Sequence, residues 1–497
     1  MDIAALTKTQ EDAVEYMLRP ECEGGALLAF DMGLGKTRTS MMFAKAYGAK
    51  VVLACVPIQT MDSWRSTAEE FLPGLPVRRI ENSKSGKAAL AAFDWRVPGV
   101  YLIGHEYWER LAWRQQLIRK RRKSDPDKFR KVDSGQWSQP GPDGTPGYLW
   151  VFDESHRGAN VTSWTHQALM NLRADFKLSM SGTFFGDKFG GAYGATRWIW
   201  PHRTDIIPEK IGRWTAMWAL TVYDKWAPRN EKIVGELDEG AFVSSLPCYI
   251  RVESNMPPPV PHHIWVDLYP EQRRIFDELD RRMVAWIEEH PLVTRIKPTQ
   301  RARQRQATLA MPSLVYDGNE LVEVSFAPDA QSAKTDELIR LLNNELSGEK
   351  VLVLTDSQKY ARILTQRLND ALGEGSAAEW SGKVTHKNRA AVKDAFINGD
   401  LRVIVGIQSA MGTGTDGLQV ASCNLVFMSR SDRRIDNDQA IARLNRTGQE
   451  REVHVWYILA RNTVDAGQQS RQVQAALAAN KSMRSKHAQL RSNPNKS

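Results

Sequence analysis

The chain has 497 residues, too many for one hydrophobic core, so two or three domains are expected. Its formal net charge of +9 favours a polyanionic partner, because Lys and Arg release counterions from phosphates; charge alone fits a basic protein with no nucleic-acid role equally well. The four scattered cysteines (Cys22, Cys55, Cys248, Cys423) form no CxxC pair, which speaks against a zinc site or a disulfide framework and fits a reducing cytoplasm.

In chain order, the start MDIAALTKTQEDAVEYML is polar and acidic and does not read as a secretory signal. No apolar run is long enough to span a bilayer, so no membrane partner is expected. Short apolar runs at Ala26–Phe30, Val51–Cys55, Val100–Ile103, Tyr148–Phe152 and Phe176–Met180 read as buried strands. Helix-length amphipathic stretches separate several of them, the alternation of a parallel sheet flanked by helices. Residues 114–147 look loop-like and carry the basic run RKRRK at 119–123, either a phosphate contact or a solvated loop. Trp198, Trp200, Trp214, Trp218 and Trp226 form an aromatic cluster; packing between helices is the preferred reading over stacking on unpaired bases.

Residues 201–330 are broken by MPPPVP at 256–261 and contain helical segments at 270–288 and 299–310, so a mostly helical connector is expected. From about 331 the strand-helix alternation returns, with strands at Val351–Leu354, Val403–Ile407, Leu425–Met428 and Val453–Leu459. The expected architecture is α/β. Lobe one covers 1–200, the connector 201–330, lobe two 331–465, and a basic tail 466–497.

Three segments carry chemistry. FDMGLGKTRTS at 30–40 follows an apolar strand and opens a helix. Gly33 and Gly35 let backbone N–H groups approach phosphate oxygens, Lys36 reaches the β- and γ-phosphates, and Thr37 holds Mg²⁺. Phe30 stands where the usual P-loop pattern begins with Gly. In VFDESH at 151–156, Asp153 serves Mg²⁺ and Glu154 polarises the attacking water. In QAIARLNRTGQ at 439–449, Arg443 and Arg446 are spaced i, i+3 and are expected on one helix face, where they would present guanidinium groups to a γ-phosphate; alone, the stretch also fits a solvated basic helix.

Together these segments resemble the Swi/Snf-type ATPases of helicase superfamily two, in the compact form that phages and bacteria encode. GALLAFDMGLGKT resembles the family's GxxLADEMGLGKT, DESH its DEAH box, and VVLACVPIQTMDSW at 51–64 the segment that ends in Trp. SMSGTFF at 179–185 resembles the SGTP motif, SAKTDELIRLL at 332–342 the SGKL segment, and SGKVTHKNRAAVKDAF at 381–396 the DGxxxxxxR…F stretch. QAIARLNRTGQ resembles QAxxRxxRxGQ, the most family-specific motif.

The resemblance implies two RecA-like lobes with ATP and Mg²⁺ between them. It implies that Gln10 reads adenine and that Ser181 and Thr183 link hydrolysis to lobe movement. Gly412, Gly414 and Asp416 match a second-lobe motif that faces nucleotide and nucleic acid, though GTGTDGLQ departs from GGxGLNL around Thr415 and Asp416. Phe30 replaces an acidic residue usual before the P-loop, and Phe184 replaces the Pro of SGTP. Thr60, His105 and Thr355 fall in loops where the superfamily touches the phosphate backbone. The implied activity is ATP-driven translocation on duplex DNA in a cytoplasm, that of a bacterial host if phage-encoded. A strand-separating or branch-migrating helicase and an ATP-switch remodelling subunit are the rivals, and a protein partner of unknown identity stays open.

Overall fold

The computed structural model describes residues 7–81, 97–105, 107–108, 113–118, 128–133, 147–185, 189–225, 230–287, 290–294, 297–317, 320–381, 386–411 and 417–469. The chain divides into two compact units, with the boundary between Ser254 and Asn255.

The strands of the first unit are β1 (Gly25–Phe30), β2 (Val51–Val56), β3 (Val77–Ile80), β4 (Gly99–Gly104), β5 (Trp113–Ile118), β6 (Lys128–Asp133), β7 (Tyr148–Asp153), β8 (Phe176–Met180), β9 (Ala219–Tyr223), β10 (Glu231–Glu236) and β11 (Tyr249–Val252). Seven of them form one sheet in the order β11-β1-β8-β7-β2-β4-β3, and every pairing in it is parallel. All six residues of β1, β2 and β4 are buried, which explains their continuous apolar runs: a parallel sheet covered on both faces has no polar side. The order places the C-terminal ends of β1, β8 and β7 side by side, although long stretches of sequence separate them. In open α/β sheets, ligands bind beyond these ends.

The second unit contains β12 (Val260–Val266), β13 (Val284–Ile287), β14 (His290–Val293), β15 (Pro312–Asp317), β16 (Glu320–Phe326), β17 (Val351–Thr355), β18 (Ala377–Trp380), β19 (Val403–Ile407), β20 (Asn424–Phe427) and β21 (His454–Ala460). Its six-stranded sheet runs β12-β21-β20-β17-β19-β18, again all parallel. Alternate residues of β17 serve two cores: Val351 and Val353 pack with Leu338, Tyr360 and Leu364, while Leu352 and Leu354 pack with Phe396, Leu425 and Phe427. The α/β plan with two parallel-sheet lobes is therefore the one the sequence indicates.

Two regional expectations need correction. The span 201–330 has the helices Pro270–Arg282 and Lys297–Leu309, but it also holds strands β9 to β16. The first helix stops at Arg282 because Met283 takes a left-handed conformation (φ 59°), after which Val284–Ile287 pairs with β14. β11 joins the first sheet and β12 the second, so this span is shared between the units rather than forming a separate connector. Within 114–147, β5 and β6 form an antiparallel hairpin; its polar sequence hides a pairing made by backbone hydrogen bonds. The basic run 119–123 and the C-terminal tail from 470 lie outside the described residues.

The tryptophans pack, as preferred. Trp198, Trp200 and Trp214 are fully buried, and the indoles of Trp200 and Trp218 donate to the carbonyls of Cys22 (3.0 Å) and Ile206 (2.9 Å). Trp226 lies outside the described residues. All four cysteines are free and buried. No described helix is long and apolar enough to cross a membrane.

Candidate active site

The phosphate-loop segment turns directly from β1 into the helix Lys36–Tyr47. Gly33 and Gly35 have φ of 82° and 76°, in the left-handed region that favours glycine, and Gly35 caps the helix. A side chain at Gly35 would also meet the amide of Gln10, 2.3 Å from its Cβ. Gln10 belongs to a capping box at the start of the helix Lys8–Met17: its Oε1 accepts the Thr7 N–H at 3.1 Å. Its Nε2 donates to Leu34 O at 3.1 Å, which braces the loop and leaves one amide proton and one lone pair for a base. Phe30, the departure from the P-loop pattern, is a fully buried residue of β1.

Lys36 Nζ donates to the carbonyls of Phe30 (2.9 Å) and Asp31 (3.2 Å). Burial lowers its pKa, against the opposing pull of the Glu154, Asp153 and Asp31 charges. Thr37 follows on the first turn of the helix.

Asp153 ends β7 and Glu154 follows in a left-handed conformation, φ 51°. A non-glycine residue held there stores backbone strain, of a kind that clusters at functional sites. Burial and the adjacent Glu154 charge push the Asp153 carboxyl up, against Lys36, while the Trp64 indole donates a hydrogen bond to it. Glu154 is held down despite burial, chiefly by the hydrogen bond and charge of His156, whose Nδ1 lies 3.3 Å from its Oε2. The same nitrogen lies 3.4 Å from Ser181 Oγ, and Ser181 Oγ accepts the N–H of Thr183 at 3.1 Å. A short chain of contacts thus runs from Glu154 through His156 to the loop after β8. Phe184, in place of the motif's Pro, is buried against Phe185 and Tyr249 with ring centroids 4.0 and 5.6 Å away.

Two loop residues expected at a nucleic-acid backbone sit otherwise. His105 Nε2 hydrogen-bonds Asp153 O at 2.9 Å, and burial, with help from Arg157, holds its pKa down to about 3, so it is a neutral brace behind the acidic pair. Thr355 is fully buried and shares a hydrogen bond with Ser429 Oγ at 3.1 Å, so it presents no surface to a phosphate. Thr60 is partly exposed, its hydroxyl donating to Pro57 O at 2.9 Å.

In the second unit the helix Arg434–Ile441 ends before the arginines. Arg443 and Arg446 follow in consecutive turns, with Arg446 N donating to Leu444 O at 3.0 Å, so they do not share a helix face. The turn is held by Gln449, whose Nε2 donates to Gln419 O (3.0 Å) and Ser422 O (2.9 Å). Gly412, Gly414, Thr415 and Asp416 lie outside the described residues.

The comparisons with known proteins bear on both units. The model of the SNF2-related domain matches residues 9–189, and that of the helicase conserved C-terminal domain matches 333–449. The first unit therefore carries the likeness to the SNF2-related domain and the second the likeness to the helicase conserved C-terminal domain. Curated proteins similar to this chain include Helicase ARIP4 of Xenopus tropicalis, 27% identical over 198 residues, which covers 32% of this chain and 14% of the relative. Chromodomain-helicase-DNA-binding protein 1-like of Danio rerio is 23% identical over 475 residues, 92% of this chain and 42% of the relative. ATP-dependent helicase fft1 of Schizosaccharomyces pombe is 21% identical over 489 residues, 88% and 49%. The chain therefore spans less than half the length of each. A solved structure, the Sulfolobus solfataricus SWI2/SNF2 ATPase core in complex with dsDNA, aligns over 97% of this chain and 94% of that one, with 16% identity and a TM-score of 0.40.

Sequence reasoning missed two groups in the first unit: the Trp64 donor to Asp153, and Arg251, whose Nη2 lies 2.8 Å from Asp31 Oδ1. Trp64 was visible as the last residue of its motif, but its target lies on another strand. Nothing local marks Arg251.

Proposed function

We propose that this chain is an ATP-hydrolysing motor that moves along double-stranded DNA, with Mg²⁺ as its metal and the closed base pairs left intact. The observation that carries it is the convergence of Lys36, Asp153, Glu154 and Ser181 at the ends of the neighbouring strands β1, β7 and β8. Adjacent carboxylates, one with its pKa raised, are the electrostatic condition that a divalent cation relieves. Thr37 and Asp153 would hold the ion together with phosphate oxygens, a ligand set that suits Mg²⁺ because it keeps few protein ligands. The ion would neutralise charge on the transferred phosphoryl group.

The chain's own residues have separable tasks. Gly33 and Gly35 let backbone N–H groups face the phosphates, Lys36 moves from carbonyls to phosphate, Gln10 offers its remaining amide positions to adenine, and Glu154 orients water. His156 and Ser181 report the state of Glu154 to the loop after β8. Arg443 and Arg446 would supply charge at the γ-phosphate, and the motif resemblance assigns Gly412 and Gly414 to nucleotide as well. The net charge of +9 supports binding to a polyanion, and one relative's name includes DNA-binding. Thr60 remains a backbone-contact proposal.

The test is a pair of assays on one preparation. Release of a third strand from a triplex reports translocation, and displacement from a tailed duplex reports strand separation. ATP-dependent activity in the first alone is expected. Efficient activity in the second moves the assignment to a helicase. Silence in both, with no duplex-stimulated turnover, refutes the motor reading.

A further inference from the structure

Asp31 has no assigned role, yet it is bonded on two sides. It follows β1, and its main-chain N–H donates to Val252 O at 3.0 Å, extending the ladder between β1 and β11. Its Oδ1 pairs with Arg251 Nη2 at 2.8 Å, and its Oδ2 accepts the Ser254 N–H at 2.9 Å. Arg251 reaches back to donate from Nη1 to Ala29 O at 3.0 Å, and its side chain is only 16% exposed. Residues 29–31 and 251–254 are thus joined by charge-assisted hydrogen bonds, the stronger and more directional kind.

The same short segment is held from its other side by Lys36, through the carbonyls of Phe30 and Asp31. A lysine ammonium has three rotatable donors and serves whichever acceptors lie nearest. Phosphate oxygens in the loop compete with those two carbonyls. When phosphate takes the ammonium, residues 30–31 lose the Lys36 anchor, while the bonds of Asp31 to Arg251, Val252 and Ser254 remain. Any shift of residue 31 is then felt at 251–254, and residue 255 begins the second unit.

We propose that Asp31 is a positioning residue and that Asp31, Arg251 and Ser254 form a clasp. The clasp couples phosphate bound at the P-loop to the segment through which the chain passes into its second unit. Its consequence for DNA-stimulated turnover rests on the motor reading above; its response to nucleotide does not.

The test uses the full chain with Arg251→Gln and Arg251→Lys, and two readouts. The first is hydrogen exchange at amides 252–254, with and without a non-hydrolysable ATP analogue and Mg²⁺. In the unmodified chain the analogue should change exchange at the Ser254 amide by about tenfold, a typical coupling between sites; Arg251→Gln should abolish the change and Arg251→Lys reduce it. The second is the ratio of duplex-stimulated to basal turnover, which should fall about tenfold in Arg251→Gln while analogue affinity stays within about threefold. A nucleotide response that persists in Arg251→Gln overturns the clasp. So does an equal loss of analogue binding, basal turnover and melting temperature, the mark of a merely structural ion pair. If Arg251→Gln does not fold, the graded response expected of Arg251→Lys decides. A responsive Ser254 amide in an ATPase that duplex does not stimulate keeps the clasp and removes the motor reading; the reverse pattern keeps the motor and removes the clasp.

Discussion

The two units use similar sheets to opposite ends. In the first, polar side chains at the strand ends converge: Lys36 rests on main-chain carbonyls, Asp153 carries a raised pKa, and Glu154 sits on strained backbone. In the second, the polar side chains of the SAKT segment and its neighbours are paired. Lys334 is buried, with Nζ 2.7 Å from Asp465 Oδ2 and donating to Met428 O at 2.8 Å. Thr335 Oγ1 bonds the Tyr360 hydroxyl at 2.7 Å, and Gln408 Nε2 donates to Ser429 O at 2.6 Å. Groups that must change partners during a reaction are left under-satisfied, while groups that must keep a shape are paired. A motif match does not say which kind a residue is; burial and bonding do.

This contrast makes substitutions in the first site cost rate and substitutions in the second cost stability. Lys36→Ala should lower ATP turnover about a thousandfold, the scale of losing one preorganised electrostatic contact, with little change in melting temperature. Phosphate release and calorimetry on one sample check both halves, and normal turnover would refute the P-loop role. Glu154→Gln should lower turnover by at least about a hundredfold while a fluorescent nucleotide still binds, because the amide cannot take up a proton from water. Loss of binding as well would make Glu154 a structural residue.

Lys334→Ala should destabilise the second unit by about 3–5 kcal/mol, since it leaves Asp465 as an uncompensated buried charge. Urea unfolding followed by tryptophan fluorescence measures this. Thr355→Val should cost about 1–3 kcal/mol, because the Ser357 N–H loses its acceptor while Ser429 keeps its bonds to Asp356, and should leave DNA affinity within about twofold. A large affinity loss at unchanged stability would restore Thr355 as a backbone contact.

The most gradual effect is at His105, where it is spread over several pH units. Its pKa in the folded chain is about 3, against an ordinary 6.5, so the unfolded chain takes up a proton first as pH falls. Stability should therefore decline between pH 6.5 and 3 on this account, and His105→Gln should flatten the slope by at most about 1.4 kcal/mol per pH unit. An unchanged slope would show that His105 already titrates near its ordinary value.

Much of the fold was legible because buried parallel strands are written as continuous apolar runs; Phe176–Met180 and Val403–Ile407 are read from sequence with the bounds they have in the structure. The local hairpins were not, since β5 and β6 are rich in Lys, Arg and Gln and their pairing uses main-chain groups common to all residues. At the site, contiguous signals such as GLGKT and DESH could be found by spacing. The His105–Asp153 and Arg251–Asp31 contacts could not, because they join residues 48 and 220 positions apart (153 − 105 and 251 − 31) through strand order alone. The end of the helix at Ile441 was hidden for another reason: an i, i+3 spacing is compatible with a helix without requiring one.

The left-handed backbone at Glu154 has a consequence for anyone who evolves this chain for heat tolerance. An L-residue there carries a penalty of roughly 1–2 kcal/mol that glycine escapes, offset in part by glycine's greater freedom when unfolded. Glu154→Gly also removes the charge that raises the Asp153 carboxyl, against the loss of the His156 contact. A selection scored only on survival after heating should therefore enrich Glu154→Gly, and every such survivor should have lost turnover with the carboxylate: the dihedral that glycine relaxes and the side chain that orients water belong to one residue.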